Sequence, residues 1–269
     1  MINLNNIDFS TTSLFEIMVK LMVKIRCDFQ EKIIMKICKN KVQESLLFIS
    51  EKLTETEKLE KLLFIFYKKW NFGCTVKIHK LSDMLWLDKM ILSNQGNSFS
   101  LGIFFMYIAS QLNLSIIPII FPTQLIIKFK NLEEKLLYID PVNGDILNKH
   151  ILQSWLKGNI SPSAELSDNH LKESNSSVIA QKILDMLKIA LIEEQNIELA
   201  LNVSNILLTL KPKDPYEIRD RGLIFSQLNC YRAAISDLLY FVEQRPEDPV
   251  SDIIKMQIHS IEQKKITFH

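Results

Sequence analysis

Few side chains in this chain stand where covalent chemistry could be done. Nucleophilic catalysis needs a hydroxyl or thiol beside a base, with a third group orienting that base. Cys74 and His79 share one short segment and could form a thiol–imidazole pair, but two loop residues at that spacing are a weak signal. Ser98 follows Gly96-Asn97 at the head of an apolar block, and Asp140, followed by Pro141, closes a strand-like run. Cys27, Cys38 and Cys230 are scattered, without Cys-x-x-Cys spacing, so reduced thiols are expected. His150, His170 and His269 stand in polar text and read as solvated. Without a phosphate loop, dinucleotide fingerprint or metal-ligand spacing, no cofactor and no metal are expected.

The elements that must position these residues are legible in the pattern of charge. The 269 residues carry 32 basic and 31 acidic side chains, a net charge of +1, which argues against a nucleic-acid coat. From Met90 to Ile127 there is no charge at all. A membrane span is excluded, because Ser93–Ser98 is polar, the apolar block Phe99–Leu112 is short of the ~20 residues a span needs, and Pro118 and Pro122 stop any continuation. The run reads instead as a buried helix followed by a buried strand, Ile116–Phe121. Asn97, Ser98 and Ser100 compete to cap that helix. Without a basic, apolar leader at the N-terminus, a cytoplasmic location is expected.

Helices dominate the first 70 residues. Ser13 with Glu16 and Thr54 with Glu57 are capping-box pairs, each followed by apolar residues at helical spacing. Ile33, Ile34, Ile37 and Cys38 mark a further amphipathic helix, which makes Cys38 a packing residue. A short helix is expected over Leu81–Ile91, around Trp86. Gln124–Phe129 and Leu136–Ile139 flank a charged turn and predict a hairpin, with Asp140–Gly144 as the next turn. Helices, a buried helix and then an antiparallel sheet make the class α+β.

Residues 161–177 are rich in Ser, Asn and Glu and read as a linker between a domain at 1–160 and a helical region at 178–269. In that region Lys211-Pro212-Lys213-Asp214-Pro215 recurs as Arg245-Pro246-Glu247-Asp248-Pro249, with Pro215 and Pro249 34 positions apart. That is the tetratricopeptide period. Gly222, Phe225, Ala234, Leu238, Phe241 and the closing Pro246 fall where the repeat puts them. The preceding unit matches at Leu184, Leu191, Ala200, Leu207 and Pro212 but carries Lys188 at the glycine position. Lys211, Lys213, Arg219 and Arg221, mixed with Asp214, Glu217 and Asp220, predict a solvated and paired surface, or else a lining for the interface between repeat and core or for a partner's acidic segment.

Gly96-Asn97-Ser98 opening the buried helix, Phe121-Pro122-Thr123-Gln124 opening a strand and Ile139-Asp140-Pro141 closing another follow the order of the transglutaminase-like, papain-like fold. The whole chain resembles the bacterial SirB-type family, in which such a domain precedes tetratricopeptide repeats. The segments LSDMLWLDK, FPTQLI, WLKGNISP and DPYEIRDRG carry the likeness. The resemblance implies a cysteine, histidine and aspartate triad at positions 98, 124 and 140, where this chain has Ser98, Gln124 and Asp140. Gln124 cannot accept a proton near neutral pH, which leaves Ser98 an ordinary hydroxyl. Gln124 is expected to hydrogen-bond across the site and keep Asp140 satisfied. The expectation is therefore a pseudoenzyme that binds a protein or peptide through its repeats, with a regulatory association, and neither nucleic acid nor membrane. The alternative is an acyl-transfer or amide-hydrolase enzyme using Ser98 or a thiol such as Cys74 near Asp140.

Overall fold

The computed structural model describes residues 12–74, 80–122, 124–131 and 136–267. The chain folds as two compact units, the first holding residues 27–183 with most of the first helix, the second Leu184 onward with Lys24–Arg26. The division falls inside a helix.

The first unit begins with α1 (Leu14–Ile25), α2 (Glu31–Phe48) and α3 (Glu55–Leu63). Both expected capping pairs form. Ser13 Oγ accepts from Glu16 N–H at 3.2 Å and donates to its carboxylate at 2.9 Å, while Thr54 and Glu57 each accept the other's backbone N–H in a complete capping box. α3 runs on as a π-helical turn, Phe64–Lys69, where Trp70 N–H reaches back to the carbonyl of Ile65. The Leu81–Ile91 helix is in fact two, α4 (Leu81–Leu85) and α5 (Leu87–Ser93). The chain is extended at Trp86, whose side chain is buried, and the N–H of Leu87 is bonded to Met22 Sδ.

α6 (Ser98–Gln111) is apolar nearly all round, and Phe99, Leu101, Ile103, Phe104, Phe105, Ile108 and Ala109 are all buried. A helix of that kind belongs inside a domain. Rings surround it: Phe66 stacks on Phe72 at 4.7 Å and meets Phe105 edge-on at 5.2 Å.

The sheet is an antiparallel meander of β1 (Ile116–Phe121), β2 (Gln124–Lys130), β3 (Leu136–Ile139) and a two-residue β4 (Ile146–Leu147). Its register pairs Ile119 with Ile126, Phe121 with Gln124 and Ile127 with Ile139. Alternation along β2 separates two faces. Leu125 turns toward α6, while Ile126 joins Ile119, Phe121 and Leu147 under Leu152 and Leu156 of α7 (Lys149–Asn159).

Residues 161–177 are not a free linker. Ala164, Leu166 and Leu171 pack on the α7-side cluster, and the Gln153 amide holds both Ala164 O and Leu166 N–H. Ser174 pairs with edge strand β1, donating its N–H to Pro118 O and accepting from Ile120 N–H. A polar segment gains this order because it satisfies a sheet edge that would otherwise be left open.

α8 (Ser176–Glu193) leads into the second unit, followed by α9 (Ile197–Leu210), α10 (Pro215–Gln227), α11 (Tyr231–Gln244) and α12 (Pro249–Thr267). The repeated Asp-Pro is a helix start. Asp214 caps α10 by accepting from Tyr216 and Glu217 N–H, with Pro215 at the first helical position, and Asp248 accepts from Val250 N–H at the head of α12. Pro212 and Pro246 follow the ends of α9 and α11. A Cβ on Gly222 would stand 2.9 Å from Leu238 Cγ, so glycine lets α10 and α11 close together. Ala234, Leu238 and Phe241 form a core with Ile254, Ile258 and Ile261, against which Phe225 packs. Gln195 and Asn229 take left-handed backbone at the hairpin bends, positions where glycine is the commoner choice.

Candidate functional site

Three loops meet at the head of α6. Gly96 donates its N–H to Gly73 O at 3.0 Å, and Gly73 N–H in turn reaches Asn94 O at 3.0 Å, forming a short parallel bridge. A Cβ on Gly73 would stand 3.4 Å from Val142 O, in the turn after β3. Asn97 caps the helix: its Oδ1 accepts from Phe99 and Ser100 N–H, both at 3.0 Å, while Ser100 Oγ returns to Asn97 N–H. Ser100 Oγ also donates to Met84 O at 2.6 Å.

Ser98 is therefore the first helical residue and not the cap. Its side chain is buried, and Oγ accepts the N–H of Leu125 at 3.2 Å. One turn on, a Cβ on Gly102 would meet Leu125 Cδ2 at 2.5 Å. Small residues at 98 and 102 let α6 lie directly on β2.

Gln124 begins β2 opposite Phe121, whose ring belongs to the cluster on the α7 side. Cross-strand partners share a face, so Gln124 projects away from α6 and does not bridge the site. Asp140 is satisfied differently from expectation. Its Oδ1 accepts Val142 N–H at 2.8 Å, its carbonyl accepts Gly144 N–H at 2.8 Å, and its own N–H goes to Asp145 O. Burial pushes its carboxyl above the ordinary aspartate range. The bond from Val142 opposes that rise, and the nearby Asp145 charge adds to it.

The turn is clamped by Tyr67, whose hydroxyl donates to Pro141 O at 2.9 Å. Gly144 sits at φ +80 with the Tyr67 ring 2.5 Å from where a Cβ would be, so both its backbone and its space demand glycine. Sequence reading missed Tyr67; the Asp-Pro-x-x-Gly turn was its one visible counterpart.

Among the described residues, Leu125 N–H is the hydrogen-bond partner of the Ser98 side chain, and no imidazole or carboxylate reaches it. Cys38 is buried in α2 with its thiol pushed up to about 12, which suits a packing residue. Cys74 is exposed and outside any disulfide, and His79 lies outside the described residues. No group of metal ligands occurs among the described residues, and no described helix is long and apolar enough to cross a membrane.

The second unit holds the strongest electrostatic feature. Lys188, the misfit at the repeat's glycine position, is buried and bonds Glu217 at 2.5 Å and Asp220 at 2.9 Å. Ser204 Oγ donates to the other Glu217 oxygen at 2.6 Å, which ties α8, α9 and α10 into one network. Burial works against the Lys188 ammonium, but Asp220 and Glu217 outweigh it and hold the amine above its ordinary value. Glu217, expected on the surface, is thus internal, while Arg219 pairs with Asp220 and Arg221 grips Asp237 in a two-pronged pair.

Comparison with known proteins agrees with this architecture. The family described as the transglutaminase-like superfamily matches residues 32–185, and a tetratricopeptide repeat family matches residues 187–259. A UPF0162 protein of Buchnera aphidicola from Acyrthosiphon pisum is 51% identical over 267 residues, covering 99% of both chains. Protein SirB1 of Salmonella typhimurium is 45% identical, and the UPF0162 protein YchA of Escherichia coli K12 is 44% identical, each again over 99% of both chains. No solved structure matches the chain. With relatives aligned from end to end and both parts matched in order, the chain belongs to the SirB1/UPF0162 family, a transglutaminase-like domain followed by tetratricopeptide repeats.

Proposed function

We propose that this protein acts in the cytoplasm by binding another protein, with the transglutaminase-like domain as a non-catalytic scaffold. The observation that carries this reading is the state of Ser98. Its oxygen accepts a backbone N–H, the Asp140 carboxylate accepts Val142 N–H, and Gln124 stands opposite Phe121 on the other face of the sheet. A hydroxyl without a base beside it is a poor nucleophile, and removing members of such a unit costs several orders of magnitude in rate. The tetratricopeptide hairpins supply the binding side of the proposal, since stacked helix pairs build extended recognition surfaces.

A second reading has one observation in its favour. The bond between Gly73 and Gly96 brings the segment carrying Cys74 to the head of α6, where an acyl-transfer or amide-hydrolase enzyme would need a thiol. Both readings are tested by assaying the purified protein for amide hydrolysis and transamidation, with Ser98→Ala and Cys74→Ala beside it. The scaffold reading expects no turnover and an unchanged set of co-purifying proteins for Ser98→Ala. Turnover that Cys74→Ala removes would establish the enzyme, and so would turnover that Ser98→Ala removes.

A further inference from the structure

The turn Lys211–Tyr216 and Arg245, which follows α11, border a cavity of about 590 Å³. This lies within the roughly 300–1,000 Å³ of ligand-binding pockets. Pro212, Pro215 and the ring of Tyr216 give it an apolar floor, and Lys211, Lys213, Arg245 and the capping Asp214 also line it.

The rim cations differ from the other charges of the unit. Arg219, Arg221 and Lys188 are each engaged by a carboxylate within 2.9 Å. Lys211, Lys213 and Arg245 are exposed and make no ion pair among the described residues. The nearby carboxylates are already committed. Asp214 is held by two N–H groups of α10, and Asp248 takes the Tyr216 hydroxyl at 2.8 Å together with Val250 N–H. Arg245 and Arg219 lie on the Tyr216 ring, each 5.5 Å from its centre, and this keeps the floor in place.

We infer that this cavity is a docking site for a short acidic segment of a partner protein, an apolar side chain resting on the proline–tyrosine floor and its flanking carboxylates meeting Lys211, Lys213 and Arg245. Charge complementarity selects this occupant. Two exposed lysines without an ion pair, together with Arg245, whose charge is shared with Asp248, stand around an apolar floor and match two or three carboxylates on either side of one apolar residue. A nucleic acid matches less well, because its evenly spaced phosphates would also meet Asp214 and Asp248, whereas a peptide can place its carboxylates beside the cations and clear of those two. The inference rests on the protein-binding reading above and adds the surface and the class of partner.

The test uses the full-length protein and a fluorescein-labelled peptide of four glutamates around one phenylalanine, followed by fluorescence anisotropy. The glutamate peptide should bind at least ten times more tightly than its glutamine counterpart and weaken as salt is raised, as exposed charge pairs do. Lys211→Glu with Lys213→Glu should lower that affinity at least tenfold. Arg232→Glu with Lys255→Glu, an equal change of charge elsewhere in the unit, should leave it within twofold. Equal binding of both peptides would overturn the proposal, as would an equal loss in the control variant. Tighter binding of a labelled single-stranded oligothymidylate through Lys211 and Lys213 would overturn it in favour of nucleic acid. None of these failures bears on turnover by the first unit, so they leave the non-catalytic reading to its own assay.

Discussion

The head of α6 and the surroundings of Lys188 satisfy their buried polar groups in opposite ways. In the first unit, Asn97, Ser98, Ser100, Asp140 and Tyr67 each bond a backbone N–H or C=O. In the second, Lys188, Glu217, Asp220 and Ser204 bond one another. On the non-catalytic reading proposed above, the contrast gives a way for a catalytic arrangement to be lost while its fold remains. Side chains satisfied one by one by the backbone can change singly, because no partner side chain is stranded. A network of side chains in a dry interior is coupled, and removing one member leaves the others exposed to the full cost of burial.

The sharpest way to break the comparison is at Lys188. Lys188→Met leaves the buried Glu217 carboxylate without its cation, Asp220 still being held by Arg219, and should cost about 3–5 kcal/mol in urea unfolding. Adding Glu217→Gln and Asp220→Asn should return a large part of that loss. Next comes Gly144→Ala, which forces a Cβ into left-handed backbone and against the Tyr67 ring. It should cost about 1–3 kcal/mol by the same measurement. Ser98→Ala leaves the buried Leu125 N–H without its acceptor and should cost about 1–2 kcal/mol. In a double-mutant cycle with Asp140→Asn, its effect should be additive within about 0.5 kcal/mol, whereas Lys188 and Glu217 should couple strongly.

The smallest effect concerns pH. Because burial raises the Asp140 carboxyl in the folded protein, the folded state holds that proton more tightly than the unfolded chain. Its contribution to stability is complete below the ordinary value of 3.8 and is lost as pH rises through the raised folded value. Asp140→Asn keeps an acceptor for Val142 N–H and removes the titration. The variant should equal or slightly exceed the parent at neutral pH, and the parent's decline just above pH 3.8 should disappear from it.

Much of this fold was written in local signals. The capping pairs Ser13–Glu16 and Thr54–Glu57, the uncharged helix, the hairpin and the Asp-Pro repeat starts depend on residues within a few positions of one another, and all appear in the structure. The misreadings involve distance. Residues 161–177 look like a linker until Ser174 is found on the edge of β1. The rotation of Gln124 away from α6 follows from cross-strand register, which no local pattern fixes. Lys188 looked like a flaw in the repeat because its partners lie 29 and 32 residues further along. Positions 98, 124 and 140 can be named from the sequence, but the neighbours that hold them, Leu125 for Ser98, Phe121 across from Gln124 and Val142 for Asp140, are not singled out by sequence order.

Held as the acceptor for Leu125 N–H, Ser98 should not behave as a nucleophile. A fluorophosphonate reagent, which adds covalently to activated serines, followed by intact-protein mass spectrometry, tests it most directly. The mass should stay that of the unmodified chain. Stoichiometric addition to the parent that Ser98→Ala abolishes would contradict it.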